Sequence, residues 1–188
     1  MDVSEAVEAR RARRVFSEEG VDVETVRLLA EAARLSASCF NNQPWRLVFC
    51  IGETSLAAVK ESLSKGNAWA TRAPMIVAVA ARPPDDCQLS DRREYFLFDC
   101  GLAMGQLVLQ ATALGLTAHP IAGYDPFKAK AALGIPEDHT LITLIICGYP
   151  GTDESLLSDK QKEAERHRPD RKPSGENVFR DTWGTPLA

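Results

Sequence analysis

Four arginines fall within five positions near the start of the chain, Arg10, Arg11, Arg13 and Arg14, although the formal net charge of the whole is -4. Guanidinium groups so close repel one another unless an anion sits among them. Phosphate is the natural guest, because the planar fork of an arginine binds its oxygens in bidentate fashion. A solvated helix face is the plainer reading and would serve for two arginines. Hydrogen bonds to charged groups contribute about 1.5–3 kcal/mol each, whereas micromolar affinity requires about 8 kcal/mol before ordering costs. Two arginines alone therefore fall short, and a phosphorylated ligand with a large stacking ring would not.

A second constellation is SASCFNNQPWR, Ser36 to Arg46, where the amides Asn41, Asn42 and Gln43 run into Pro44 and Trp45. Spacing alone does not separate a helix end with a proline turn from a binding loop. Amides offer donors and acceptors without charge, which suits a planar heterocycle edged with carbonyls and ring nitrogens. In HPIAGYDP, His119 to Pro126, Gly123 stands beside small residues, where backbone N–H groups can approach a ligand closely. Taken plainly the same segment joins a strand to a helix, and His119 reads as structural. Arg171 and Lys172, in RPDRKPSGENVF, are either solvent-facing tail charges or cations brought to a phosphate site from a distant part of the chain. His119, His139 and His167 lack HxxxH or HExxH spacing, so no metal site is expected. The sequence contains no P-loop, GxGxxG, GxSxG or paired-carboxylate motif, which removes the geometry that ATPase, Rossmann dehydrogenase and hydrolase chemistries require. Any chemistry must come from a cofactor.

Something has to hold these groups in place. The pattern predicts a short helix from Val3 to Arg11, then a second in which Asp22 caps Val23, Val26, Ala30 and Ala33 at helical spacing. Arg46 to Ile51 reads as a strand ended by Gly52, followed by a helix that Thr54 can cap. MIVAVAA, Met75 to Ala81, is a strand buried on both faces. Tyr95 to Leu114 is a helix apolar on nearly all sides, fit for a core or a subunit interface. Asp125 and Pro126 open a short helix that Gly134 ends, and LITLIICGY, Leu141 to Tyr149, is another buried strand. From Gly151 onward the composition is too polar to fold alone, so that tail is expected to wrap over something.

A length of 188 residues and 45% hydrophobic content suit one domain. The acidic balance argues against nucleic acid and anionic membrane as partners. No apolar run is read as reaching the ~18 residues that span a bilayer, and the N-terminus lacks the apolar core of a signal peptide. A cytoplasmic location is expected. Cys39, Cys50, Cys87, Cys100 and Cys147 form no CxxC pair and read as reduced core residues.

Taken in order, RRARRVF, AARLSAS, NNQPWR, NAWATRAP, DCGLAMGQLVLQATALGL, PIAGYDP, LGIPE and LIICGYP resemble the FMN-dependent nitroreductase family over most of residues 8–150. The tail segment RKPSGENVF resembles the family's closing segment. The resemblance implies an α+β fold with a central mixed β-sheet flanked by helices, as one FMN-binding domain over residues 1–188. Its tail, from residue 150, would wrap the partner subunit of an intertwined homodimer with FMN at the interface. Carried over by position, Arg10, Arg11 and Ala12 approach the phosphate and ribityl chain, Arg171 and Lys172 complete the anion site, and Arg14 faces the pyrimidine edge of the flavin. Ser38, Asn41 and Gln43 come across the interface, Asn67 is a further ring contact, and the backbone of Pro120, Ile121, Ala122 and Gly123 reaches the flavin near N5. Departures are Ala12 where the family commonly has Ser, Ala37 where it has Pro, Phe40 where it has a small residue, and Ala122 where an acidic residue or Gly is frequent. Ala12 removes a possible hydroxyl contact and Phe40 narrows the substrate space.

The function implied is an oxidoreductase in which NAD(P)H passes a hydride to FMN and an electron-poor small molecule, such as a nitroaromatic or quinone, then takes its place. Such ping-pong chemistry needs no catalytic acid or base from the protein. The alternatives are another flavin enzyme of the superfamily, with a dehalogenase, enone-reductase or flavin-fragmenting role, and a non-catalytic flavin-binding module. Substrate-dependent NAD(P)H oxidation separates catalysis from storage.

Overall fold

In the computed structural model, which describes residues 1–187, the apolar run Met75–Ala81 forms strand β2, and all seven of its residues are buried. Numbered along the chain, β1 is Arg46–Cys50, β3 is Thr117–Ile121 and β4 is Thr140–Gly148. The sheet order is β1-β2-β4-β3. Each neighbouring pair is antiparallel, so the expected mixed sheet is here antiparallel throughout among the described residues. A parallel neighbour would need a further strand beside β1 or β3, the two edges.

Alternation along β2 sends its side chains into two cores. Met75, Val77, Val79 and Ala81 meet Leu29 and Ala33 of α2 (Val23–Arg34) and Ala103 and Leu107 of α4 (Tyr95–Ala113). Ile76, Ala78 and Ala80 meet Val59 of α3 (Glu53–Lys60) and Ala129 of α5 (Pro126–Leu133). The sheet is therefore a middle layer between helices. Helix α4 has the length and mean hydropathy of a membrane span, although Asp99 interrupts its apolar run. It is nevertheless a core helix on one side, with Ala103, Leu107 and Ala111 at 0% exposure.

Local chemistry sets the helix ends. Asp22 accepts the Thr25 N–H at the start of α2, Asp125 accepts those of Phe127 and Lys128, and Gly134 closes α5 in the left-handed region at φ 64°. Helix α3 begins two residues earlier than expected, with Gly52 rather than Thr54 at its cap. The first helix, α1, covers only Val3–Ala9, because Arg10 turns out of it at φ -57° and ψ 121°. The arginine run is consequently not helical.

The tail holds to its own chain in part. Its α-helix, α6 (Asp159–Arg166), starts with a capping box between Ser158 and Gln161 and docks on its own chain, where Gln161 Nε2 donates to the Gly66 carbonyl at 3.0 Å. The cysteines are a correction in part. Cys50, Cys100 and Cys147 are buried and free as expected, but Cys39 and Cys87 are joined in a disulfide. Folding brings together segments 48 residues apart, a proximity that spacing does not reveal.

Candidate functional site

Leaving α1 in an extended path, Arg10, Ala12 and Arg14 line one cleft of about 180 Å³ together with Arg11, Ala164, Arg168, Pro169 and Arg171. Arg13 lines a different one, which Arg11 also borders. Among the described residues no carboxylate pairs with Arg10, Arg168 or Arg171. Partial burial lowers the Arg10 pKa, and the positive charges of Arg168 and Arg171 lower it further. Three guanidiniums converging without an acid leave donors that an anion could take. Arg168, which also donates to the Arg10 carbonyl, was not singled out from the sequence; its only signal is the basic run RHRPDRK.

Arg11 has other work. Its Nη2 donates to the carbonyls of Ala164 at 2.9 Å and Glu165 at 3.0 Å, where the carbonyls ending α6 want a cation. Lys172 is exposed and does not line the cleft. Arg14 sits deeper. Its backbone N–H donates to Glu165 Oε1 at 2.6 Å, its guanidinium lies 3.8 Å from the same carboxylate, and the cation stands 5.9 Å above the Trp69 ring. Trp69 packs between Phe16 and His119, with centroids at 6.1 and 4.8 Å. The indole Nε1 is buried without a hydrogen-bond partner. Burial pushes the His119 pKa down to about 4, so the ring is neutral. Its Nδ1 lies 2.9 Å from the Arg13 carbonyl, which can only accept, and the proton is therefore on Nδ1.

Asn67 belongs to the same neighbourhood. Its Nδ2 donates to the Gly123 carbonyl at 2.9 Å, which also accepts the Ser64 N–H at 3.1 Å. A Cβ on Gly123 would lie 2.6 Å from Asn67 Nδ2, so a larger residue would have to displace the Asn67 amide that bonds this backbone. Ile121 is buried, whereas Pro120 and Ala122 are exposed.

The amide loop stands apart. The Ser38 hydroxyl accepts the Gln43 N–H at 3.0 Å, and Gln43 Nε2 donates to the Asn41 carbonyl at 3.1 Å. Phe40, Asn41 and Gln43 adopt φ of 47°, 59° and 49°, at a cost of about 1–3 kcal/mol each, which persists only where surroundings enforce it. Asp99, at 1% exposure, accepts the Cys39 N–H at 2.6 Å, and Arg46 Nη1 holds the carbonyls of Gln43, Pro44 and Trp45 at 3.1–3.3 Å. Trp45 is buried in the core, whereas Phe40 is 92% exposed. The loop enters β1, and the Pro120–Gly123 segment leaves β3. Both lie at the same end of the sheet, since Arg46 faces Ala80, Ala80 faces Leu141 and Ile121 faces Leu144. Three strand spacings, about 14 Å, separate them.

Comparison with known proteins places this arrangement. The sequence profile of the Nitroreductase family matches residues 7–149. An uncharacterized 15.4 kDa protein of the ask 5′ region in Mycolicibacterium smegmatis is 30% identical over 134 residues, covering 71% of this chain and 86% of its own length. An NADH dehydrogenase of Thermus thermophilus is 25% identical, with 81% of this chain and 89% of the relative covered. Among solved structures, one described as an oxidoreductase containing FMN superposes with a TM-score of 0.84 at 26% identity, covering 98% of this chain and 94% of that one. The profile match spans well over half of the 188 residues, and the chain belongs to the nitroreductase family.

Proposed function

We propose that the chain is an NAD(P)H-dependent flavin oxidoreductase that binds FMN and reduces electron-poor small molecules, nitroaromatics and quinones among them. The observation that carries this is the cleft of Arg10, Arg168 and Arg171, which gathers cations from both ends of the sequence with no acid among them. A phosphate satisfies it. The residues beside it suit the rest of FMN: Arg14 on Trp69, the unpartnered Trp69 Nε1, and Gly123 drawn close to Asn67.

When bound, FMN supplies hydride acceptance from the nicotinamide and electron donation to the acceptor. The protein's part is to hold and orient. Arg10 and Arg171 fix the phosphate, Arg14 presents a cation beyond it, and Asn67 braces the Gly123 backbone. Ser38, Asn41 and Gln43 lie about 14 Å across the sheet from that segment, a separation that fits service to a second copy's flavin in a homodimer. The exposed Phe40 side chain would then border the acceptor's space. A cytoplasmic setting, where NAD(P)H is supplied, goes with this reading.

A visible spectrum of the purified protein tests it. A yellow sample bleached under nitrogen by NADH or NADPH is expected. A colourless protein that takes up no added FMN, or a yellow one that neither nicotinamide bleaches, would overturn the assignment.

A further inference from the structure

We infer that Cys39 and Cys87 form a reversible thiol–disulfide site that clasps the amide loop and thereby sets how firmly the protein holds its flavin. The second half of the inference rests on the proposed placement of that loop.

The pair differs from the other cysteines. Cys50, Cys100 and Cys147 are at most 1% exposed, and burial pushes the first two thiols up to about 11 and about 12. Cys39 and Cys87 are half-buried, with Cα atoms 6.3 Å apart, within the span a disulfide bridges. Cys87 also lines a cleft of about 240 Å³ with Arg92, Arg93 and Glu94; Arg93 is paired with Asp91, and Arg92 is the cation left to meet a carboxylated thiol or disulfide of the glutathione class.

The pair is joined to the loop by more than its own bond. Asn42, inside the loop, donates from Nδ2 to Asp86 Oδ1 at 3.2 Å, and Asp86 precedes Cys87. The Cys39 carbonyl accepts the Asn42 N–H at 3.0 Å, while the Cys39 N–H is held by Asp99. Residues 38–43 thus carry three unfavourable φ angles between a fixed strand and one covalent anchor. Opening that anchor leaves only hydrogen bonds to hold them.

The exchange balances simply. An external thiolate attacks Cys87 Sγ, the S–S bond breaks, and its electron pair leaves on Cys39 Sγ, which takes a proton from water. A second external thiol resolves the mixed disulfide, so the protein gains two thiols and the two small thiols become one disulfide. Oxidation by a small disulfide runs the same steps in reverse.

The test uses the full-length flavin-loaded protein equilibrated with oxidised or reduced glutathione. Alkylation in denaturant followed by intact mass counts free thiols: five of five cysteines should react in the reduced form, and only Cys50, Cys100 and Cys147 in the oxidised one. Hydrogen exchange at residues 38–43 should quicken on reduction. FMN affinity should fall by about 5-fold or more, the lower end of ordinary coupling between sites. Cys87→Ser, which leaves four cysteines, should show the reduced-state exchange and FMN affinity and form no internal disulfide with the oxidant. Five reactive thiols in both forms would overturn the site, as would a metal ion held by both thiols and Asp86 in native mass spectra. Unchanged exchange at 38–43 would overturn the clasp. Equal FMN affinity in both forms, with the disulfide confirmed, would overturn its hold on the flavin. A protein that binds no FMN in either form sinks the flavin reading instead, and exchange at 38–43 still decides on the clasp.

Discussion

Arg10, Arg11 and Arg171 look alike in the sequence, yet their surroundings separate them. Arg10 and Arg171 face a cleft with no acid, so their donors are available to a ligand; Arg11 is committed to the end of α6. Arg171→Ala is expected to weaken FMN by about 1.5–3 kcal/mol, roughly 10- to 150-fold, and to leave riboflavin, which has no phosphate, unchanged. Arg11→Ala should instead lower the thermal midpoint without discriminating between the two flavins. Fluorescence titration with each flavin, beside a melting curve, checks the contrast. The clustering was legible because like charges so close demand an explanation. The division of labour was not, because a guanidinium's partner lies more than 150 residues away in sequence. His119 is a second case. Its folded pKa, about 4, lies below the ~6.5 of an exposed histidine, so the unfolded chain takes up the proton first. Its contribution is intact above pH ~6.5 and is lost as pH falls toward 4, by up to about 3 kcal/mol. Urea midpoints at pH 7 and 4.5 should therefore converge in His119→Asn relative to the unsubstituted protein. An equal acid loss in both would mean other groups carry it.

At the scale of elements, what the sequence disclosed was whatever local chemistry decides. Asp22, Asp125, Pro126 and Gly134 act within one turn of themselves, and the unbroken apolar run of β2 declares burial on both faces. The end of α1 was misplaced by two residues, since arginines suit a helix by propensity and tertiary partners drew them out. Helix α6 was invisible as a docked element because its composition is almost wholly polar. Its attachment depends on Glu165, buried at 7% exposure, which accepts the Arg14 N–H beside the Arg14 guanidinium. Glu165→Ala leaves that N–H unpaired in a partly closed site, at a cost of about 1–3 kcal/mol. The expected outcome is a lower melting temperature and faster proteolysis between residues 151 and 171. Both flavins should bind more weakly, because Arg14 and the tail shift together. A variant as stable and protease-resistant as the parent would show that α6 is held elsewhere.

For the molecule as a whole, the open question is what covers the outer face of α4. One side of that helix closes the core through Ala103, Leu107 and Ala111. The other presents Phe98 at 55% and Leu102 at 39% exposure, with Gly101 and Gly105 on the same face at helical spacing. A helix that turns such a stripe to solvent is unusual unless a partner covers it. The groove where α1, α2 and α4 meet is apolar as well, lined by Val3, Ala6, Leu35 and Leu109. Two glycines one turn apart let another helix approach closely, and a second copy of α4 across a two-fold axis meets that description. Static light scattering is expected to give about twice the 20.6 kDa of one chain at micromolar concentration. Gly105→Leu makes the test specific. A Cβ at Gly105 meets nothing within 4 Å in its own chain, and leucine favours a helix over glycine by up to about 1 kcal/mol, so the single subunit should fold at least as well. Between two copies the added side chain occupies the space a partner helix needs. The variant should scatter as a monomer with unchanged helical circular dichroism. If the amide loop of one copy serves the flavin of the other, it should also lose FMN affinity while Arg10, Arg168 and Arg171 remain in place. A parent that scatters as a monomer would refute the dimer outright. A Gly105→Leu protein that stays dimeric would move the contact off this face of α4, and a monomeric variant that held FMN as tightly as the parent would confine the flavin site to one chain.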